Sequence, residues 1–522
     1  MTFRHFQRVA LLLLFKLQLG YQVPSVPWRT IQNTGTPDDT TSKFWEESGQ
    51  ETVRMLLRPE VVDVPAKNVI VFVGDGMGLA TVTAARIYSG QLQNRSGEEN
   101  MLSFDQFPYT AFVKTYAVDK QVVDSAASAT AIFTGVKTNF ALLGLSAKAN
   151  LSDCNSSIGN DVYSFMARAQ LKDKDTGFVT STRVTHATPA ALYSHSAHRE
   201  WEADSKMPGE ASRCKDIARQ LVEDAPGNKF KVILGGGLQY LKSTSSSPTG
   251  IRQDGRDLVK EWLSRNSKAK FVRTAQELAG VDVNSTDYLM GLFADDHMEY
   301  ALKRTMDQPS LPQMVETAIR MLKKNPNGFA LMVEGGRIDH GHHDNRAILA
   351  IAEAEELSRA VHLARTMTST RDTLILVTAD HSHSFVLSGY PVRGNPITGT
   401  AGTALDNMTY TSLAYTNGPS KSVRSEQDSE LSQSVDYQQP VLVPLASETH
   451  GGEDVALYAS GPMAHLVRGV IEQNAIAHII DYAACLGDSS EKMSRCEVNS
   501  ATAAVVNHLV VLVLATLAIF FH

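Results

Sequence analysis

The chain has 522 residues, of which 43% are hydrophobic and 20% are charged, and it contains 35 glycines and 19 prolines. This composition excludes a disordered, collagenous or coiled-coil protein. It is typical of about two to four globular domains, or of one large α/β domain with insertions. The formal net charge of −7 is small for this length and does not favour a protein that binds nucleic acid.

The first element in chain order is a short apolar segment near the N-terminus. Arg4, His5 and Arg8 precede the apolar residues 9–15. A basic start followed by a short apolar run is typical of a secretory signal peptide, which we assign to residues 1–22. A buried N-terminal helix is the alternative interpretation.

Apolar runs and helical patterns alternate through most of the chain. An amphipathic helix is predicted over residues 39–57, and further helical patterns cover 310–324 and 347–367. Several of the predicted strands are nearly continuous apolar runs, as in strands buried on both faces. These strands cover residues 68–73, 177–182, 231–234, 329–333 and 373–378. The alternation predicts an α/β fold with a large, mostly parallel sheet flanked by helices on both faces.

One long segment interrupts this alternation. Residues 389–445 are rich in Gly, Pro, Ser, Thr and Tyr and have no helical period. Because long segments without regular patterning usually have a function of their own, we predict an inserted small domain there. It would separate residues 23–388 from residues 446–499 of the α/β domain.

The C-terminal segment is apolar. Residues 509–521 are uncharged and mostly aliphatic, and the small residues Asn499, Ser500 and Ala501 lie upstream of them. Small residues, a spacer and a terminal apolar tail are typical of a glycosylphosphatidylinositol (GPI) anchor signal. We predict this signal over residues 500–522, with the lipid at Asn499 or Ser500. A short membrane-anchor helix is the alternative, and the N-terminal signal favours the lipid.

The four cysteines are an even number in a chain predicted to be secreted, so two disulfides are expected. Three pairings are possible. Proximity in sequence favours Cys485 with Cys496, which leaves Cys154 with Cys214. The same compartment allows N-glycosylation at N-x-S/T sequences. These begin at Asn94, Asn150, Asn155, Asn284 and Asn407.

Charged and imidazole side chains cluster where the predicted strands end. The first strand runs into Asp75, which lies between Gly74 and Gly76, at the edge where α/β sheets bind ligands. The strand 329–333 runs into E-G-G-R-I-D-H-G-H-H. In that run Asp339 and His343 are four residues apart, so one helical turn places both on one face as metal ligands.

Two further clusters follow in the chain. The strand 373–378 leads to Asp380 and His381, and later His450 lies in a glycine-flanked turn. Any one such cluster is equally consistent with a buried, hydrogen-bonded polar group. Several at the ends of predicted strands indicate a site for more than one metal ion.

A serine completes the set of candidate catalytic residues. Ser125 opens a helix of small residues directly after Asp124. It is either a helix-capping residue or a nucleophile at a helix N-terminus, where the helix dipole and free N–H groups favour an anion. Coordination to a metal would make its hydroxyl nucleophilic at neutral pH.

With these residues assembled, the chain resembles the animal alkaline phosphatases over about residues 39–496. The matching motifs stand in the family's order. They are D-G-M-G, D-S-A-x-x-x-T, T-R-V-x-H-A-x-P-A, E-G-G-R-I-D-H-G-H-H, T-A-D-H-S-H and E-T-H-G-G-E-D. The resemblance implies hydrolysis of phosphate monoesters through a phosphoserine, by a GPI-anchored homodimer on the outer face of the cell membrane.

The resemblance also implies a role for each matching residue. Ser125 would be the nucleophile and Arg199 would clamp two phosphate oxygens, a task that suits a planar fork of donors. The implied metal ions are two Zn²⁺ and one Mg²⁺. The implied ligands are Asp339, His343 and His450 for the first zinc, Asp75, Ser125, Asp380 and His381 for the second, and Asp75, Thr188 and Glu334 for magnesium. Asp124, His186, His340 and His383 would surround these ligands.

The resemblance extends to assembly and has one departure. The helix 39–57 would embrace the neighbouring subunit, and Tyr390 would reach the partner's site. The excursion at 389–445 corresponds to the family's variable crown domain. Many relatives bind Ca²⁺ near residues 289–300, but A-D-D-H at 294–297 differs from their pattern, so a calcium site lacks support here.

Two alternative functions belong to other classes. A phosphodiesterase or sulfatase of the same superfamily shares the metal ligands but typically uses threonine or a modified cysteine as nucleophile, so Ser125 with Arg199 favours a monoesterase. A non-catalytic surface receptor on a phosphatase scaffold would be favoured by a lost metal ligand, and every ligand position is filled.

Overall fold

The computed structural model describes residues 39–57, 61–209, 213–420, 430–487 and 496. Residues 1–60 and 61–522 separate into two units. The first unit contains the helix Ser42–Leu56, which begins three residues later than the sequence predicts because the side chain of Thr41 caps it by accepting from Phe44 N. The predicted signal peptide lies outside the described residues.

The second unit contains the sheet. In chain order, the first eight strands of this unit are β1 (Asn68–Gly74), β2 (Tyr109–Lys114), β3 (Asp175–Arg183), β4 (Val232–Gly236), β5 (Ala269–Val272), β6 (Tyr288–Leu292), β7 (Phe329–Gly335) and β8 (Thr373–Ala379). The later strands are β9 (Ser382–His383), β10 (Phe385–Leu387), β11 (Thr400–Thr403), β12 (Thr409–Thr411), β13 (Leu413–Gly418), β14 (Val441–Pro444), β15 (His450–Gly451), β16 (Val455–Ser460) and β17 (Gly469–Glu472).

Ten strands form one sheet in the order β17-β2-β16-β8-β1-β7-β3-β4-β6-β5. Neighbouring strands are parallel except where β16 pairs antiparallel with β2 and with β8. Every residue of β1, β7 and β8 is buried, so both faces of the sheet are covered there. The predicted large, mostly parallel sheet is therefore confirmed.

The helices of the second unit cover both faces of this sheet. They are Leu79–Gln91, Ser125–Thr134, Cys154–Ser157, Phe165–Gln170, Ala187–Ala190, Ile217–Glu223, Leu238–Leu241, Leu258–Arg265, Ala275–Ala279, Leu311–Leu322, Arg337–His343, Ala347–Met367 and Ala475–Ala484.

Two groups of these helices pack against the central strands. Ala347–Met367 packs on Leu79–Gln91 and on Leu311–Leu322, and this group contacts β1, β3 and β7. Ser125–Thr134, Phe165–Gln170 and Ala475–Ala484 pack on one another and contact the same strands. The apolar core lies between each group and the sheet.

The inserted segment forms short strands. Strands β11 and β12 make an antiparallel pair, and β13 lies between β10 and β14 in a three-stranded sheet. Because β10 precedes residue 389, this small sheet uses residues on both sides of the predicted boundary. The domain division at 389–445 stays a prediction.

The covalent and surface features can be compared with the sequence predictions. The disulfides Cys154–Cys214 and Cys485–Cys496 are confirmed, with Cα–Cα distances of 5.9 and 6.1 Å. All five candidate glycosylation asparagines are exposed. Among the described residues, no helix combines the length and the apolar character needed to cross a membrane. The candidate lipidation residues Asn499 and Ser500 lie outside the described residues.

Candidate active site and metal centre

The site lies at the carboxyl ends of three adjacent strands. Strand β1 lies between β7 and β8, and all three run parallel. Their registers align Val73 with Glu334 and Gly74 with Ala379. Asp75 follows β1 directly and Asp380 follows β8, so carboxylates far apart in sequence meet at one edge of the sheet.

Ser125 lies at the centre of this edge. It is the first residue of the helix Ser125–Thr134, and the side chain of Asp124 caps that helix by accepting from Ala126 N and Ala127 N. Ser125 Oγ lies 3.3 Å from Asp75 Oδ1 and 3.2 Å from His381 Nε2. His381 Nε2 in turn lies 3.3 Å from Asp380 Oδ2. The residues predicted for the second zinc are thus brought together around one point.

The residues predicted for the first zinc also converge. His343 Nε2 lies 3.3 Å and His450 Nε2 3.5 Å from Asp339 Oδ1, and the two Nε2 atoms are 3.2 Å apart. His343 Nδ1 lies 2.6 Å from the backbone carbonyl oxygen of Glu448, and His450 Nδ1 lies 2.8 Å from that of Val123. A carbonyl only accepts, so Nδ1–H donates and both Nε2 lone pairs face inward, which fits a shared cation.

The residues predicted for magnesium carry oxygens that lack partners. Glu334 Oε2 accepts hydrogen bonds from Thr180 Oγ1 and, at 3.0 Å, from Thr182 Oγ1. Within the described part of the chain, no hydrogen bond of good geometry reaches the buried atoms Glu334 Oε1, Asp75 Oδ2 and Thr188 Oγ1, although Thr188 lies close enough to Glu334 to lower the pKa of that carboxyl. Buried oxygens are normally satisfied. Three such atoms on these residues fit a hard cation with oxygen ligands.

The carboxylates at this edge repel one another. Burial, followed by repulsion from Asp380, Asp339 and Glu334, raises the pKa of Asp75 well above its ordinary value. Burial raises the pKa of Glu334 to about 7 and also raises that of Asp380. Bound cations would remove this repulsion and hold the carboxylates ionised.

These shifts predict how magnesium binding depends on pH. With a pKa of about 7, Glu334 is protonated in the metal-free protein below that pH and must lose the proton to bind a cation. We expect the affinity for Mg²⁺ to fall by at least about 10-fold per pH unit below about pH 7, because Glu334 and Asp75 must both be ionised to bind the cation. Calorimetric titration in buffers of different ionisation heat measures the released proton. Glu334→Gln is the control, and a pH-independent affinity in the wild-type chain would contradict the prediction.

Arg199 is held beside Ser125 by two groups. Its Nη1 donates to Asp124 Oδ2 at 3.0 Å, and its Nη2 lies 3.2 Å from His186 Nε2. Asp124 therefore both caps the serine helix and orients the guanidinium. The two contacts fix the plane of the fork, which is what binding two oxygens of one phosphoryl group needs.

The other predicted histidines line the same edge. His383 Nε2 lies 2.9 Å from Asp339 Oδ1, and its Nδ1 lies 2.5 Å from Glu448 Oε2. Although burial opposes the charge, these hydrogen bonds raise the pKa of His383 to about 9. Burial lowers the pKa values of His186 and His340 well below the ordinary value, so both are neutral.

Three residues of the site were missed by the sequence predictions. His297 packs against His186 and His340, with ring centroids 5.3 and 4.3 Å away. His342 lies between Thr81 Oγ1 at 2.9 Å and Tyr415 OH at 2.8 Å. Glu448 contacts His383 and His343. The available signals were the density of histidine in E-G-G-R-I-D-H-G-H-H and the acidic residue before T-H, but neither specifies a contact.

Comparison with known proteins shows the family to which the chain belongs. The alkaline phosphatase family profile matches residues 66–486. The chain is 48% identical over 495 residues to the tissue-nonspecific alkaline phosphatase of Gallus gallus, covering 90% of this chain and 95% of that one. It is 46% identical over 468 residues to the isozyme of Homo sapiens, covering 85% and 89%. The chain belongs to the alkaline phosphatase family.

The family assignment gives the class of reaction, and solved structures support the fold. The chain is a hydrolase of phosphate monoesters. The alkaline phosphatase of the Antarctic bacterium TAB5 superposes with a TM-score of 0.59 at 24% identity, covering 82% of this chain and all of that one. At that identity the likeness concerns the fold alone.

Proposed function

We propose that the chain hydrolyses phosphate monoesters through a phosphoserine at Ser125, in a site that holds two zinc ions and one magnesium ion. The observation that carries the proposal is the position of Ser125 Oγ, within 3.3 Å of Asp75 and 3.2 Å of His381. A hydroxyl at a helix N-terminus among metal-binding side chains suits a nucleophile. When bound, the metal ions supply Lewis-acid stabilisation of the attacking and leaving oxygens.

The protein's own groups account for binding and orientation. Arg199 offers donors to two phosphoryl oxygens while Asp124 and His186 fix its plane. Asp75 accepts the hydrogen bond of Ser125 Oγ and so orients the nucleophile. Because all of these contacts address the phosphoryl group, the proposal includes broad specificity for the alcohol portion of the substrate.

The covalent intermediate provides the test of this proposal. The wild-type chain is incubated with labelled inorganic phosphate at mildly acidic pH, where the phosphoenzyme is expected to accumulate, and the label is mapped by mass spectrometry. Label on Ser125 is the expected result. Label on any other residue would show that the nucleophile is misassigned.

We also propose that the chain works as a homodimer. The helix Ser42–Leu56 has no buried residue, and its exposed apolar side chains include Trp45, Val53 and Leu56. Such a surface is typical of a helix that packs on another chain. Deleting residues 39–57 should shift the protein from dimer to monomer in analytical ultracentrifugation and weaken zinc retention. A fully metallated dimer after the deletion would contradict the proposal.

The location we propose is the outer face of the cell membrane, with the chain held by a GPI lipid. The small residues Asn499 and Ser500 followed by an apolar tail support this proposal. Phosphatidylinositol-specific phospholipase C should release the activity from intact cells. Activity that stays with the cells after treatment would argue for a membrane helix instead.

A further inference from the structure

Glu448 is buried in a segment that is otherwise exposed. The residue is 1% exposed, whereas the other residues of 442–449 are all exposed. Burying a carboxylate is unfavourable unless hydrogen bonds or charges compensate it. The burial of this one acidic residue therefore requires specific partners.

Those partners belong to the site. Glu448 Oε1 accepts from Ser384 N at 2.6 Å, and Oε2 accepts from His383 Nδ1 at 2.5 Å. Its backbone carbonyl accepts from His343 Nδ1 at 2.6 Å, and its N–H donates to the carbonyl of His343 at 3.1 Å. One residue thus joins the end of the helix Arg337–His343 to the segment that follows β9.

The two rings that Glu448 holds point at the same oxygen. The Nε2 atoms of His383 and His343 lie 2.9 and 3.3 Å from Asp339 Oδ1. We infer that Glu448 is a positioning residue that preorganises the metal site of Asp339, His343 and His450 by fixing the rings of His343 and His383. This inference rests on the proposed zinc site.

Glu448 is not placed as a ligand itself. Each carboxylate oxygen already accepts an N–H, and Oε2 lies on the Nδ1 side of His383, opposite the Nε2 that reaches Asp339. The His383 ring contacts the proposed ligand Asp339, and partners that hold metal ligands in place typically change metal affinity by about 10–100-fold when they are removed. The carboxylate acts through the His383 ring, because the His343 ring is held by the backbone carbonyl of Glu448.

Glu448→Gln tests this role. An amide has one acceptor oxygen and one NH₂ donor, so it satisfies either Ser384 N–H or His383 Nδ1–H and opposes the other. We expect the affinity of the first zinc site to fall by about 10–100-fold in competition with a chelating dye. Glu448→Asp keeps both acceptors but is one methylene shorter. It should also bind zinc more weakly, and it carries the test if the Gln variant does not fold.

The matched control is Glu453→Gln. Glu453 is exposed, lies five residues further on and accepts from Ser382 Oγ, which an amide oxygen also satisfies. This variant removes the same charge from the same segment and should bind zinc like the wild type. An equal loss in both variants would assign the effect to net charge and overturn the inference.

Two further readouts separate positioning from other roles. Co²⁺ bound at the site should keep the same coordination number in Glu448→Gln, as judged from the intensity of its absorption bands, and a lower coordination number would show that Glu448 is a ligand. In a chain that already carries His383→Gln, Glu448→Gln should lower the zinc affinity by a smaller factor than it does in the wild-type chain, because the carboxylate of Glu448 acts through His383. Unchanged zinc affinity in Glu448→Gln would refute the inference alone, whereas a wild-type chain that binds no zinc would refute the proposed function.

Discussion

Ser125→Ala is expected to abolish the phosphoserine and to lower the turnover of phosphate monoesters by at least about 10³-fold. No other described side chain is placed as Ser125 is, within 3.3 Å of Asp75 and 3.2 Å of His381. The fold should persist, because the cap at Asp124 stays and the two lost hydrogen bonds, to Asp75 and His381, cost about 1 kcal/mol each. The measurements are phosphate release, mapping of labelled phosphate and zinc content.

Arg199→Ala is the variant to compare with Ser125→Ala. Its guanidinium orients phosphate but is not the nucleophile, so the labelled phosphoserine should still form while inorganic phosphate inhibits more weakly. Zinc content should match the wild type in both variants. Labelled Ser125→Ala protein would contradict the role assigned to this hydroxyl.

Asp75→Asn is expected to lower activity by at least about 10²-fold and to weaken binding of both magnesium and one zinc ion. Asp75 Oδ1 faces Ser125 and His381, and its Oδ2 is buried with no hydrogen-bond partner in the described chain. The two oxygens therefore serve two proposed cation sites. The measurements are metal content after dialysis against a weak chelator and the rate of phosphate release.

Asp75→Asn should not destabilise the metal-free protein, although it weakens metal binding. Burial and neighbouring carboxylates raise the pKa of Asp75, so its ionised form is unfavourable without metal. The neutral amide avoids that charge, and the metal-free variant should melt no lower than the metal-free wild type. Asp287→Asn, a half-exposed carboxylate 3.5 Å from Lys268, is the control and should leave metal content and activity unchanged. Full magnesium retention in Asp75→Asn would refute its bridging position.

The central strands could be predicted because strands that are buried on both faces consist mostly of apolar residues. Strands β1, β7 and β8 are continuous apolar runs, and each continues one or two residues beyond the predicted end. Strand β2 alternates buried and exposed residues and lies near the edge of the sheet, so its signal is weaker. Strand β16 runs antiparallel after a long insertion, and local periodicity carries no information on direction.

The site residues could be predicted where a residue of metal-binding type directly follows a predicted strand. Asp75, Glu334 and Asp380 stand at strand ends, and parallel pairing of β1 with β7 and β8 brings them together. Glu448 and His297 lie on segments away from those strand ends, and tertiary packing alone places them beside His383 and His186. Contacts between loops depend on the whole fold, so residue spacing cannot specify them.

The most direct test of the proposed metal-dependent phosphoserine mechanism is phosphate release from a chromogenic monoester by the intact protein before chelation, after complete removal of metal, and after restoration. The convergence of Asp339, His343 and His450, and of Asp75, Asp380 and His381, predicts that activity disappears with the metal. Zinc with magnesium should then restore it, whereas magnesium alone should not. Activity that survives complete zinc removal would contradict the account.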